Sequence, residues 1–265
     1  MTNQTVSTAV LLAAGRGSRR FPITKVIDKA MMPIGNRPVI DYVVEQCVEA
    51  GIKKLVFVVS TDDSLIKKYY GEAVVIEEEY PWLGKTGSVS CVYVTQVVDE
   101  SHYGTGAAVE AVKDAVGDGA FITLAADGFI YGAKDSIIKE MINLYSDNDD
   151  ISTVITGLMV TADDAKSYAT IDYAGDEKLA RLNEKPTDLE DGKSYPCNVS
   201  YYLFSQDIFA RIEALEPVKG EYLITDAINA LAIENKVGVI PVEGHYMDSG
   251  QLTAWVHANH MILQA

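Results

Sequence analysis

Cysteine is scarce, 3 in 265 residues, and Cys47, Cys91 and Cys197 form no Cys-x-x-Cys pair, so the chain offers neither a disulfide framework nor a zinc motif. All three read as small core residues. Positive charge is also in short supply: 22 Lys and Arg stand against 38 Asp and Glu, a formal charge of −16. That balance argues against nucleic acid or an anionic membrane surface as partner. No apolar run approaches the ~20 residues of a membrane span. The polar start, residues 1–7, has no basic segment leading into an apolar signal core. With no Pro/Gly/Ser-rich linker or low-complexity tract to divide it, the chain is expected to form a single domain over 1–265 and to work in the cytoplasm.

The chain is 48% hydrophobic, enough for a substantial core. Apolar β-rich runs at 9–13, 55–60, 92–95 and 121–124 alternate with helical patterns at 39–50, 63–70, 106–115 and 134–145. Runs this apolar suit parallel strands covered on both faces, and the alternation implies βαβ units. In the segment 39–50, Val39, Val43, Cys47 and Ala50 recur at helical spacing, Asp41, Glu45 and Glu49 fall on another face, Pro38 suits the first turn and Gly51 can end the helix. Beyond residue 151 the pattern turns to strands at 152–160, 169–173, 179–183 and 198–204, with turns such as 174–177. Helices return at 205–215, 222–234 and 252–263, with a strand at 237–242. The fold class is α/β: a Rossmann-like, doubly wound mixed sheet whose first half (1–150) is extended by a second (151–265) that carries a further half-site.

The scarce cations are concentrated. Arg16, Arg19, Arg20, Lys25 and Lys29 follow an apolar strand and the glycines Gly15 and Gly17, with Asp28 the one acid among them. Backbone N–H groups exposed at such a turn, with Arg and Lys beside them, suit phosphate oxygens. The standard nucleotide motifs are nonetheless missing. The third glycine of a dinucleotide-binding fingerprint would fall at Arg20, and the first glycine of a Walker A loop ending at Gly84-Lys85-Thr86 would fall at Glu79. His257 and His260 have no third ligand and read as helix surface. The tyrosines lack the basic stripe of a nucleic-acid platform, and the sequon Asn198-Val-Ser200 has no role in a cytoplasmic chain.

What the opening does resemble is the signature of the sugar-1-phosphate nucleotidyltransferases: Gly15-Arg-Gly-Ser-Arg19, Pro22, Lys29-Ala-Met-Met-Pro33 and Arg37-Pro38. Later segments match in order: Gln96 with Gly104-Thr-Gly-Ala-Ala108, Leu124-Ala-Ala-Asp127-Gly128, Glu184-Lys-Pro186, Asn198 before Tyr201-Tyr-Leu-Phe204, Gly220-Glu-Tyr-Leu-Ile-Thr-Asp226 and Met247-Asp248-Ser-Gly250. Within that family, Thr24-Lys25 with Lys29, and residues 67–85 as a shortened helical insertion, resemble the bacterial UTP:glucose-1-phosphate uridylyltransferases.

The resemblance implies a chemistry and a set of roles. A sugar-1-phosphate oxygen attacks the α-phosphorus of a nucleoside triphosphate and pyrophosphate leaves, a reaction of positioning and charge neutralisation. Arg19, Lys29 and Lys185 are the implied catalytic cations. Ala13, Ala14, Gly15, Gly17, Lys25, Gln96, Gly104 and Thr105 are implied for the nucleotide, and Asp127, Gly128, Ala169, Glu184, Lys185 and Asn198 for the sugar phosphate. Asp127 and Asp248 would hold Mg2+. The implied assembly is a homo-oligomer, dimer or tetramer. Four positions depart from the family pattern: Ser18 keeps the hydroxyl of the usual Thr, Arg37 keeps the charge of the usual Lys, the segment from Gln96 to Gly104 is longer, and Ala169 stands where Tyr-Gly is common, adding a β-carbon near the sugar. Other bases (dTTP, CTP), other sugars, and a catalytically silent binding module are the alternatives the sequence leaves open.

Overall fold

In the computed structural model the described residues are 6–264, except Arg16, Asp63, 97–100, Asp176, 218 and 219. Arg16 of the glycine turn, Asp63 at the expected start of a helix, the middle of the 96–104 loop and Asp176 of the 174–177 turn therefore lie outside the described residues.

The first part of the sheet is β1 (Thr8–Leu12), β2 (Lys54–Val59), β3 (Ala73–Val75), β4 (Ser88–Thr95) and β5 (Phe121–Ala125). Here β1 lies between β2 and β5, all parallel, β4 continues the parallel run beyond β2, and β3 closes that edge antiparallel to β4. The short ribbon strand β6 (Gly128–Tyr131) follows. The extension is β7 (Thr153–Thr161), β8 (Ala169–Tyr173), β9 (Leu179–Glu184), β10 (Ser194–Asn198), β11 (Tyr201–Phe204) and β12 (Val237–Val242). Together these make one eleven-stranded sheet in the order β9-β8-β10-β7-β11-β5-β1-β2-β4-β3, with β12 parallel to β7.

Side-chain alternation along the strands divides the interior between the two faces. Ala9, Leu11, Leu55, Phe57, Val59, Ile122 and Leu124 point into one layer, and Val10, Val56, Val58, Phe121, Tyr202 and Phe204 into the other. Helices α1 (Val39–Ala50), α2 (Leu65–Tyr70), α4 (Ile137–Ser146) and α7 (Leu252–Gln264) cover the first. Helices α3 (Thr105–Glu110), α5 (Asp207–Glu213) and α6 (Ile224–Ile233) cover the second. In α1 the apolar stripe Val39, Val43 and Cys47 is fully buried, a contribution of about 1.5–3 kcal/mol for each large aliphatic side chain. Gly51, at φ 93°, ends the helix with its N–H on the carbonyls of Cys47 and Val48.

Several expectations shift. Asp41, assigned to the polar face of α1, is 6% exposed. Its carboxylate accepts from Arg37 Nε at 2.6 Å and Tyr80 Oη at 2.7 Å, so Arg37 belongs to this buried cluster. The helix expected at 106–115 breaks at Ala111 and Val112 into α3 and a separate single-turn helix, Lys113–Val116. The insertion at 67–85 is only partly helical, since β3 runs through it. The strand expected at 198–204 is two strands separated by Val199 and Ser200. That break matters most, because β10 and β11 share β7 on one side, while on the other β10 pairs with β8 and β11 with β5. The sheet forks at residues 199–200.

Candidate active site

A cavity of about 880 Å3 opens at this fork and at the C-terminal ends of β1 and β5, the place where open α/β sheets bind ligands. Its walls come from segments distant in sequence. Ala14, Gly15, Arg19 and Lys29 come from the long connection after β1, Gln96, Tyr103, Gly104 and Thr105 from the loop into α3, and Asp127 from the end of β5. Tyr168, Glu184, Lys185, Ser200 and Tyr202 come from the extension, and Asp248 with Gly250 from β13 (His245–Asp248) and the turn after it.

The floor is built by the β6–β13 ribbon, in which Asp248 lies opposite Gly128 and so beside Asp127. Lys29 forms an ion pair with Asp127. The carboxyl of Asp248 is raised above its ordinary value by burial first and by the charge of Asp127 second. Lys29, the N–H of Gly250 and Arg19 act in the opposite direction. Two carboxylates thus share one partly desolvated place with Lys29 and Arg19 beside them. Gly250 leaves room here for both side chains: a β-carbon would sit 2.7 Å from Asp248 Oδ1 and 2.9 Å from Lys29 Nζ, and these side-chain ends would have to shift to admit it. Fully buried Ser249 ties the floor together, its N–H donating to the Asp127 carbonyl at 3.0 Å and its hydroxyl lying 3.0 Å from that carbonyl and 3.3 Å from that of Lys29. Tyr168 and Tyr246 pack edge to face with centroids 5.6 Å apart. Both phenols are pushed up, by burial foremost and then by the nearby Asp127 and Asp248.

At the other end, residues 103–106 lie against 220–224. Tyr103 donates to the Gly220 carbonyl at 3.1 Å, Tyr222 to that of Tyr103 at 2.7 Å and Gly106 to that of Tyr222 at 2.8 Å, and the N–H of Ile224 meets Thr105 Oγ1 at 3.2 Å. A β-carbon at Gly104, whose φ is 104°, would fall 2.5 Å from the Tyr222 carbonyl oxygen. The glycine is there because another backbone is.

Of the residues singled out from sequence, Ala14, Gly15, Arg19, Lys29, Gln96, Gly104, Thr105, Asp127, Glu184, Lys185 and Asp248 line this one cavity. Ala13, Gly17, Lys25, Gly128, Ala169 and Asn198 do not. Gly17 takes a left-handed turn at φ 59° and its carbonyl accepts from Thr24 Oγ1 at 2.8 Å, while Lys25 Nζ rests over the Phe21 ring at 5.4 Å. Gly128 underlies Tyr246, which would occupy the space of a β-carbon. Ala169 is 5% exposed and paired between Glu184 and Asn198. Asn198 is buried, with Nδ2 donating to the carbonyls of Thr156 (3.3 Å) and Tyr201 (3.2 Å). The basic cluster also splits: Arg19 faces the cavity, but Arg20 is 6% exposed and lies over the Trp255 ring at 5.1 Å. Sequence reasoning missed Ser249, Tyr246, Ser200 and Tyr202 as parts of the site. Ser249 and Tyr202 stood inside recognised motifs, whereas Ser200 was noted only as part of a sequon set aside as irrelevant.

This arrangement of anion-binding backbone, cations and paired carboxylates at the switch point of an α/β sheet is that of a phosphoryl-transferring enzyme. The nucleotidyl transferase family model matches residues 8–265, and the chain belongs to that family. It is 32% identical over 238 residues, 85% of each chain, to a candidate UTP–glucose-1-phosphate uridylyltransferase of Bacillus subtilis (strain 168). It is 28% identical over 265 residues, 94% of this chain and 92% of the other, to the UTP–glucose-1-phosphate uridylyltransferase of Pseudomonas aeruginosa. Its fold matches that of a UDP-glucose pyrophosphorylase solved with UDP-glucose, with a TM-score of 0.82 at 23% identity, over 98% of this chain and 99% of that one.

Proposed function

We propose that the chain joins a nucleoside triphosphate, UTP, to a sugar-1-phosphate, glucose-1-phosphate, giving the nucleotide sugar and pyrophosphate. The observation that carries this is the meeting of Asp127, Asp248 and Lys29 on the floor of a cavity with Arg19 on one wall and Lys185 on another. A phosphate oxygen of the sugar-1-phosphate bonds to the α-phosphorus as the bond from that phosphorus to the bridging oxygen breaks, and the electron pair leaves on pyrophosphate. Both reactants are anions, so their approach is the barrier the protein lowers. Arg19, Lys29 and the Gly15 backbone hold the triphosphate and stabilise charge on the departing pyrophosphate, with Lys25 at the outer edge of the same loop. Lys185 neutralises the attacking phosphate, and Glu184 accepts from sugar hydroxyls. Gln96, Gly104 and Thr105 face the base. Residues 1–150 supply most of the nucleotide half and 151–265 the sugar half.

The donor set on the floor fits a magnesium ion. Among the described residues no group of three or more His, Cys, Asp and Glu is poised for a metal, and a pair of carboxylates completed by substrate phosphates and water is what Mg2+ accepts. Burial and the neighbouring Asp127 both disfavour the ionised form of Asp248, and a divalent cation held by the two carboxylates would favour it. Bound between Asp127 and Asp248, the ion would supply charge neutralisation at the reacting phosphates. Among the described residues no helix is long and apolar enough to cross a membrane. A cytoplasmic setting is part of this reading, as is a dimer or tetramer, the association alone being supported by Leu252, Val256 and Leu263 left exposed on α7.

The test is pyrophosphate release from a matrix of nucleoside triphosphates and sugar-1-phosphates with Mg2+. UTP with glucose-1-phosphate is expected to turn over best, and Asp127→Asn or Asp248→Asn to abolish turnover while the protein still folds. Preference for dTTP or CTP would move the base assignment, and inactivity across the matrix would replace the enzyme by a binding module.

A further inference from the structure

Among the described residues, four other than glycine adopt a left-handed backbone: Glu177, Lys185, Ser200 and Asn235. Such conformations cost a residue with a β-carbon and persist where the surroundings enforce them, often at functional sites. Lys185 (φ 44°) and Ser200 (φ 65°) both line the cavity. At Ser200 the enforcement is visible. Its N–H donates to Asn198 Oδ1 at 3.1 Å and its carbonyl accepts from Ala125 at 3.3 Å, while the Asn198 amide is anchored to the carbonyls of Thr156 and Tyr201. The outcome is a half-buried serine at the fork of the sheet, lining the cavity together with Glu184 and Tyr202. Burial raises the Tyr202 phenol, and the Ser200 hydroxyl beside it acts in the opposite direction.

We propose that Ser200 is a specificity-determining residue for the sugar, its hydroxyl bonding a ring hydroxyl of the sugar-1-phosphate alongside Glu184. This rests on the assignment of the cavity to a sugar-1-phosphate. Lys185 already answers the phosphate on that side, so a neutral group that both donates and accepts matches a ring hydroxyl, whereas the Glu184 carboxylate only accepts. A donor–acceptor beside a pure acceptor fixes which way the sugar hydroxyl points, and a site built around such a bond disfavours the epimer that leaves it unmade. The β-carbon of Ala169, paired under Glu184 and Asn198 and absent from the cavity wall, is not placed to do this.

The test compares Ser200→Gly and Ser200→Ala with the wild-type enzyme at saturating UTP, varying glucose-1-phosphate and its C4 epimer galactose-1-phosphate. Both variants lose the hydroxyl, and the glycine also accepts φ 65° without a β-carbon, so its thermal midpoint is expected at or above that of the wild type. The KM for the preferred sugar-1-phosphate is expected to rise two- to tenfold, roughly the value of one net hydrogen bond. The preference over the epimer should fall by a similar factor, with the KM for UTP unchanged. An unmoved sugar KM and epimer ratio in both variants, with the wild type active, overturns the role of Ser200 alone. A wild-type chain that consumes neither sugar overturns the substrate assignment and this inference with it.

Discussion

Arg19 and Arg20 are neighbours of the same type, yet one faces the phosphate cavity and the other lies buried against Trp255. Their variants should separate accordingly. In the proposed function Arg19→Ala removes a cation from the reacting phosphates, and kcat is expected to fall about 10²–10³-fold with the thermal midpoint unchanged. Arg20→Ala loses a desolvated cation–π contact and its packing, and is expected to cost about 2 kcal/mol of stability, read by denaturant unfolding, with a smaller change in kcat. The two Trp residues allow an independent readout: in a Trp82→Phe background, Trp255 fluorescence should shift on replacing Arg20 and not on replacing Arg19. Charge density alone marks a cationic loop in a sequence and says nothing of which side chain turns inward. That is why five basic residues were legible as a cluster and their division of labour was not.

At the scale of elements, what was legible followed from period and order. Helix α1 declares itself because its apolar positions repeat every three to four residues between Pro38 and Gly51, and the site residues declare themselves because their motifs occur in one sequence. The fork between β10 and β11 is invisible for a physical reason: the alternation of Tyr201, Tyr202, Leu203 and Phe204 says which way side chains point, but not which strand each edge pairs with. The β6–β13 ribbon joins strands far apart in the chain, beyond the reach of local pattern. Asp41 misled because a carboxylate on a helix is ordinarily solvated, whereas here the segment after α2 folds over it. Tyr70, Tyr80 and Arg37 all converge on this carboxylate, and Arg37 also meets Glu45 at 2.8 Å. Removing one partner of a buried pair strands the other, so Arg37→Ala is expected to cost on the order of 3 kcal/mol. None of these residues lines the cavity, so kcat at a temperature where the variant is folded should stay within about twofold of the wild type. A loss of kcat without loss of stability would instead mean that Arg37 acts on substrate.

Over the whole molecule, two apolar layers around one sheet enclose several phenols and thiols, and these weak acids set its response to alkali. Burial is the leading cause of the raised phenols of Tyr70, Tyr80, Tyr168, Tyr201, Tyr202 and Tyr246. It also leads for the thiols, pushing Cys91 to about 11, Cys197 to about 12 and Cys47 higher still. Each group therefore holds its proton more tightly folded than unfolded. The stability this represents is complete below the unfolded values, near 9 for thiols and 10 for phenols, and is lost as pH rises through the interval up to the folded ones. Every group ionised only in the unfolded chain removes about 1.4 kcal/mol per pH unit, so the buried Cys47 and Cys197 together remove roughly 3 kcal/mol per unit and the partly exposed Cys91 adds less. A formal charge of −16 at neutrality adds self-repulsion in the same direction. Denaturant midpoints are thus expected to hold between pH 7 and 8.5, to fall above pH 9, and to fall more steeply beyond pH 10 as the phenols join. In the native protein at pH 8 the buried Cys47 and Cys197 should react with a disulfide reagent orders of magnitude more slowly than in denaturant, and the half-buried Cys91 faster than either. The triple replacement of Cys47, Cys91 and Cys197 by Ala or Ser should shift the onset of the decline from about pH 9 to about pH 10. A midpoint that stays level to pH 11 would mean that these groups titrate freely in the folded chain, and that the two layers are less closed to water than their packing shows.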